Sequence, residues 1–79
     1  KLYPNPVMTG EVKINIPQSI SNETVAVKIY EVGTGKLVYD RLATSGVNTL
    51  QVNNLAAGTY IVQLVHHDNV QNLKMVVGR

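Results

Sequence analysis

The sequence contains no cysteine, no phenylalanine and no tryptophan among its 79 residues. Without cysteine the chain has neither disulfide bonds nor thiolate metal ligands, which often stabilise domains of this size. A chain this short supports one hydrophobic core, and here valine, isoleucine and leucine must build it. Because β-branched side chains suit the pleated surface of a sheet, the composition favours strands over helices.

Charge is also sparse. The formal net charge is +2, and the seven basic residues are scattered along the chain rather than clustered. A dispersed basic set without interleaved aromatics argues against a nucleic-acid surface. No apolar run approaches the roughly 20 residues of a membrane-spanning helix, so no membrane insertion is predicted. No signal peptide opens the chain either. We therefore expect a single domain, residues 1–79, from a longer protein whose leader lies elsewhere.

Alternation of apolar and polar residues recurs about every dozen positions, as expected of a β-sandwich. In "EVKINI" (11–16) and "TYIVQLV" (59–65) every second residue is apolar, and in "VAVKIYEV" (25–32) Val25, Val27 and Ile29 follow the same pattern. "SGVNTLQV" (45–52) and "VQNLKMVV" (70–77) add two more strands. The inward face of "KLVYDRL" (36–42) stays open, because Leu37 and Tyr39 compete with Val38 and Leu42. The pattern predicts six strands, or seven if "LYPNP" (2–6) pairs at an edge.

Two turns carry specific expectations. "GTG" (33–35) predicts a three-residue hairpin with one glycine at positive φ. In "LAAGTY" (55–60), Leu55 can close the end of a sandwich and Gly58 permits a backbone angle that a side chain resists. Tyr60 then needs a partner for its hydroxyl, and the backbone of the preceding crossing is nearest. That is the tyrosine corner of immunoglobulin-like folds. The predicted fold is an antiparallel immunoglobulin-like β-sandwich of six to seven strands.

The residues offer little chemistry. His66 and His67 are adjacent, so on a strand they point to opposite faces and cannot ligate one ion together. The five acidic residues are dispersed, and no serine stands in a nucleophile-elbow motif. We expect no catalytic residue, no metal site and no cofactor.

Five stretches in order resemble one family. They are "LYPNPV" (2–7), "GEVKINI" (10–16), "VKIYEVGTGKLV" (27–38), "LAAGTYIVQL" (55–64) and "LKMVVGR" (73–79). Together they resemble the type A C-terminal sorting domain of the bacterial type IX secretion system. The resemblance spans essentially the whole chain. One departure is the additional glycine in "EVGTGKLV", where the family more often has Asp or Asn; we expect only a small change of turn type.

The resemblance implies a secretion signal rather than an enzyme. Such a domain ends a secreted protein of a Gram-negative bacterium, and its folded form is recognised in the periplasm. The implied partners are the type IX translocon, an outer-membrane shuttle protein, a surface sortase and the covalently attached N-terminal cargo. Cleavage upstream of the core and attachment of the cargo to an anionic lipopolysaccharide at the cell surface commonly follow. The isolated domain is expected to be a monomer or a weak edge-strand dimer.

The residues that match the family's motifs are Pro4, Asn5, Pro6, Gly35, Lys36, Leu55, Gly58, Tyr60, Lys74, Val76, Val77 and Arg79. We hypothesise that the machinery reads the folded surface, with the terminal strand as the main element. An edge strand offers backbone groups for pairing, and Lys74 and Arg79 add charge there. A second interpretation stays open, in which Lys74 only guards the edge against aggregation. Gly58 and Tyr60 are expected to matter through folding alone.

The competing hypothesis is an immunoglobulin-like binding or spacer module of a surface glycosidase or adhesin. Carbohydrate platforms present exposed aromatic rings, and the candidates here are Tyr3, Tyr30 and Tyr39. A donor-strand subunit is less favoured, because the alternation already supplies enough strands to close a sandwich.

Overall fold

The computed structural model of the chain describes residues 2–3, 6–16 and 24–78, and within them every regular element is a strand. The strands are β1 (Leu2–Tyr3), β2 (Glu11–Ile16), β3 (Val25–Glu31), β4 (Leu37–Ala43), β5 (Gly46–Gln51), β6 (Gly58–His66) and β7 (Asn69–Val77). The seventh strand is the short β1 in the "LYPNP" stretch. It confirms that this stretch contributes pairing.

Two antiparallel sheets pack face to face. One has the strand order β1-β2-β5 and the other β4-β3-β6-β7. The chain passes from β4 to β5 in the opposite sheet and returns to β6, which lies beside β3. Such crossings between sheets are typical of immunoglobulin-like sandwiches. The predicted fold class is confirmed.

The core forms where the alternating faces of the two sheets meet. Among the described residues, fifteen buried side chains make one cluster, and valine and isoleucine account for most of them. The inward positions expected from the pattern are confirmed for β2, β3 and β6, because alternate residues there are buried (Val12, Ile14, Ile16, Val25, Val27, Ile29, Tyr60, Val62 and Leu64). In β7, Met75 and Val77 are buried and Leu73 packs partly against the cluster.

An irregularity explains why the inward face of β4 could not be decided from the pattern. Ile29 pairs with Tyr39, but the next residue, Tyr30, pairs with Leu37, so Val38 is an additional residue in β4. A bulge of this kind breaks the strict alternation of faces. As a result Val38 and Tyr39, although neighbours, both pack partly against the core.

Candidate functional site

The turn at residues 55–60, called the late turn, stabilises the crossing between the two sheets. Tyr60 is 2% exposed, and its hydroxyl donates a hydrogen bond of 2.7 Å to the carbonyl of Ala56. Leu55 is 7% exposed and closes the core beneath the turn. Gly58 has a φ of 158°. A tyrosine whose hydroxyl returns to the backbone four residues upstream is the predicted tyrosine corner.

The turn between β3 and β4, called the central turn, is one residue longer than the predicted "GTG" (33–35). The Glu31 N–H donates to the Lys36 carbonyl at 2.9 Å, which leaves residues 32–35 as a four-residue loop rather than a three-residue one. The Gly35 N–H donates to the Glu31 carbonyl at 2.7 Å. Gly35 is the glycine at positive φ, 72°, as expected of one glycine in this turn. This second bond joins residues four apart and forms a turn inside the loop.

The opening and terminal motifs meet in space, although they lie at opposite ends of the sequence. After β1 the chain leaves its sheet, and Val7 pairs in parallel with Val77 of the other sheet. The Val7 N–H donates to the Val76 carbonyl at 2.6 Å, and the Gly78 N–H donates to the Val7 carbonyl at 2.9 Å. Both Val7 and Val77 are buried. The opening segment therefore covers the outer edge of β7 at its last residues.

All of these motifs lie at one end of the four-stranded sheet. Gly58 is paired with Val77, and Glu31, just before the central turn, is paired with Tyr60. We call this end the motif end and define it by residues 6–7, 32–36, 55–60 and 76–78. The opposite end, around the β6–β7 turn at His67 and Asp68, is called the hairpin end. The sequence did not predict this convergence, because it depends on the β3–β6 pairing.

The candidate residues differ in what their side chains can do. Leu55, Tyr60 and Val77 are buried, and Gly35 and Gly58 shape turns. Pro6, Lys36 and Lys74 are exposed, and Val76 is half-buried. Pro4, Asn5 and Arg79 lie outside the described residues.

The histidine pair deviates from the expected geometry. His67 is the first residue of the β6–β7 turn and has a φ of 54°, so the alternation of a strand stops at His66. The two rings consequently lie together, with centroids 4.4 Å apart in an edge-on arrangement. The expectation that the rings point to opposite faces is wrong. Within the described residues, no three His, Cys, Asp or Glu side chains come together as metal ligands would.

The tyrosines do not share one surface. Tyr3 lies opposite Lys13 on the three-stranded sheet, and Tyr30 lies on the outer face of the four-stranded sheet. Tyr39 packs against the core, with the Arg41 guanidinium 5.6 Å from its ring centroid. A flat aromatic platform for sugar rings needs neighbouring exposed rings, and these three do not provide one. None of the described residues belongs to a helix that could cross a bilayer.

The structure is a small immunoglobulin-like sandwich. The sequence motifs that resemble the family form its turns, contribute to its core and meet at one end of the four-stranded sheet. A family model described as the secretion system C-terminal sorting domain matches residues 1–78. The chain belongs to this family, and it is a C-terminal sorting signal for type IX secretion. No curated protein shows significant similarity to the chain. The family is not a catalytic one. The domain is recognised by the type IX secretion system and is attached to a cargo, and the signal implies secretion or export to the cell surface.

Proposed function

We propose that the type IX machinery recognises this domain in its folded form, through the exposed residues of the motif end. The observation that supports the proposal is the meeting of four separate sequence motifs at that end of the four-stranded sheet. Lys36 and Lys74 supply positive charge to the two flanks of this surface. Charge placed on the rim of an interface mainly steers encounter and selects partners.

The terminal strand is the main element of the proposed surface. β7 is the outermost strand of its sheet, and edge strands are common sites of backbone pairing by partners. Val7 occupies the edge beside residues 76–78. A partner strand would therefore pair with β7 before Val76, or it would displace the opening segment.

Further steps of the pathway belong to the same proposal. The domain is the tail of a larger secreted protein, and an outer-membrane shuttle protein carries it from the periplasm to the translocon. A surface sortase then cuts upstream of the fold, without any catalytic residue of this domain. A cut before Leu2 keeps the sandwich intact, because Leu2 already pairs with Ile14 of β2. Mass spectrometry of the released tail tests this position, and a cut after Tyr3 would contradict it.

A reporter fusion tests the sorting function. A signal peptide, a fluorescent protein and the 79 residues are expressed in a type IX-competent cell and in a translocon-deficient one. We expect surface or medium fluorescence only in the competent cell. Equal periplasmic retention in both cells would contradict the proposal.

The same fusion tests the role of the terminal strand. Removing residues 75–79 is unsuitable, because it takes Met75 and Val77 out of the core and unfolding would also stop export. Lys74→Glu instead reverses one exposed charge. We expect this variant to export at least about threefold less, since a rim charge is worth roughly 1 kcal/mol. Lys13→Glu on the three-stranded sheet is the matched control and should export normally. Equal export of both variants would favour the interpretation that Lys74 only guards the edge.

A further inference from the structure

The outer face of the four-stranded sheet carries a row of apolar side chains across all four strands. Ala26 is paired with Leu42 of β4 on one side and with Val65 of β6 on the other, and Val65 is paired with Val70 of β7. Leu42 is 71% exposed and Val70 is 56% exposed. Side chains at paired positions lie on the same face of a sheet. The row is therefore a continuous apolar strip open to solvent at both ends.

A second apolar group lies four residues further along the strands, towards the motif end. Tyr30 is paired with Leu37 and with Ile61, and Val32 follows at 54% exposure. In β7 this row ends in Lys74, which is paired with Ile61. Between the two groups runs one polar row, made of Asp40, Lys28, Gln63 and Asn72. We call these three rows the apolar face.

The other sheet is different. Its outer face in β2 and β5 is mostly polar (Glu11, Lys13, Asn15, Thr49 and Gln51), and the Gln51 amide donates to the Glu11 carboxylate at 3.0 Å. The exposed apolar side chains on that face, Val47 at 58% and Tyr3 at 39%, lie in different rows and are separated by polar residues. Single exposed apolar side chains are ordinary, but a contiguous patch marks an interaction surface. The difference between the sheets therefore points to the apolar face as a contact surface.

We propose that the apolar face binds the same face of a second copy of this chain, as a symmetric dimer. A two-fold axis parallel to the strands, between β3 and β6, sets Leu42 against Val70 of the second copy and Ala26 against its Val65. In the polar row, Lys28 then meets Gln63 and Asp40 meets Asn72. No like charges are opposed. Apolar side chains meet each other in the two apolar groups, except that Leu37 meets Lys74 of the second copy, whose aliphatic stem can cover it. This self-complementarity is what a two-fold interface requires.

The size of the face sets the strength of the dimer. Three rows across four strands about 4.8 Å apart present roughly 400 Å² per copy. The total of roughly 800 Å² is below the usual size of stable interfaces, so the dimer is weak and concentration-dependent. It differs from an edge-strand dimer, which would pair backbones and leave the apolar face exposed.

Sedimentation velocity of the 79-residue chain, up to millimolar concentration, measures the association. We expect a reversible monomer–dimer equilibrium. Leu42→Asp and Val70→Lys should each raise the dissociation constant at least about tenfold, because each places an unpaired charge in the contact. Both positions are exposed, so the fold should persist, which circular dichroism checks. Leu42→Ala serves as an uncharged second variant if the aspartate lowers stability.

Mixing the two charged variants tests the symmetry. In a mixed dimer the introduced aspartate of the Leu42→Asp copy faces the introduced lysine of the Val70→Lys copy, and the second Leu42–Val70 contact stays intact. The one-to-one mixture should therefore associate more strongly than either variant alone. Val47→Asp, on the polar sheet, is the matched control and should associate like the wild type.

Three results would overturn the proposal. A chain that stays monomeric at millimolar concentration has no such interface. A dimer that Leu42→Asp leaves unchanged uses another surface, such as the β4 or β7 edge. A mixture no stronger than its parts rejects the proposed axis.

Discussion

The motif end and the hairpin end of the four-stranded sheet are built by the same four strands, yet their edges differ. At the motif end, the opening segment covers the edge of β7, and the inward-facing Tyr60 and Val77 are almost fully buried. At the hairpin end, the outward-facing Leu42 and Val70 are largely exposed, and His67 has a positive φ. Five of the nine described motif residues are thus buried or lie in turns. A match to the family's motifs therefore indicates the fold, and the exposed motif residues are the ones that a partner could contact.

The largest expected difference in stability is between two valines of β7, Val77 and Val70. Val77→Ala at the motif end removes a side chain that is 1% exposed, and we expect a loss of about 2–3 kcal/mol in the free energy of unfolding. Val70→Ala at the hairpin end, 56% exposed, should change it by less than about 0.5 kcal/mol. Urea denaturation measures both. Equal losses would show that the outer face of β7 is packed as tightly as the core.

Two glycines, Gly10 and Gly33, test whether close packing or backbone freedom explains the presence of glycine. A Cβ on Gly10 would stand 2.6 Å from Cβ of Asn53, near the point where the Val52 N–H donates to the Gly10 carbonyl. Gly10→Ala should therefore cost about 1–3 kcal/mol through overpacking.

Gly33 is the matched control for Gly10. A Cβ there meets nothing within 4 Å and the residue has no positive φ. Gly33→Ala should be neutral or stabilise by up to about 1 kcal/mol, because it restricts the unfolded chain. Thermal melts of the two variants test the pair. A stable Gly10→Ala variant would mean that the two segments separate easily.

The corner hydrogen bond is expected to have a smaller effect. Tyr60→Phe keeps the ring in the core and removes only the donor to the Ala56 carbonyl, so the expected loss is about 1 kcal/mol. Tyr30→Phe, on the outer face of the same sheet, is the control and should leave stability within about 0.5 kcal/mol. Chemical denaturation of both variants decides. If Tyr60→Phe also lies within that range, the bond contributes little and the ring alone holds the corner.

Much of this architecture could be predicted from the sequence because it is local. A period of two assigns the faces of β2, β3 and β6, and a tyrosine after a glycine turn indicates the corner. The predictions failed where a residue left the strand geometry. The bulge at Val38 hid the inward face of β4, and the turn at His67 brought two rings together. The convergence of the motifs depends on pairings between distant segments, which local periodicity does not encode.

The smallest expected effect is a gain in stability at the hairpin end. His67 has a φ of 54°, a region that side chains occupy at a cost and glycine occupies readily. His67→Gly should therefore raise the free energy of unfolding by up to about 1 kcal/mol, even though the contact between the rings of His66 and His67 is lost. Asp68→Gly, the next residue in the turn, has no positive φ to relieve and should be neutral or destabilising. Thermal melts at neutral pH compare the two. If His67→Gly lowers stability, the contact between the rings of His66 and His67 stabilises the turn by more than the positive φ of His67 costs.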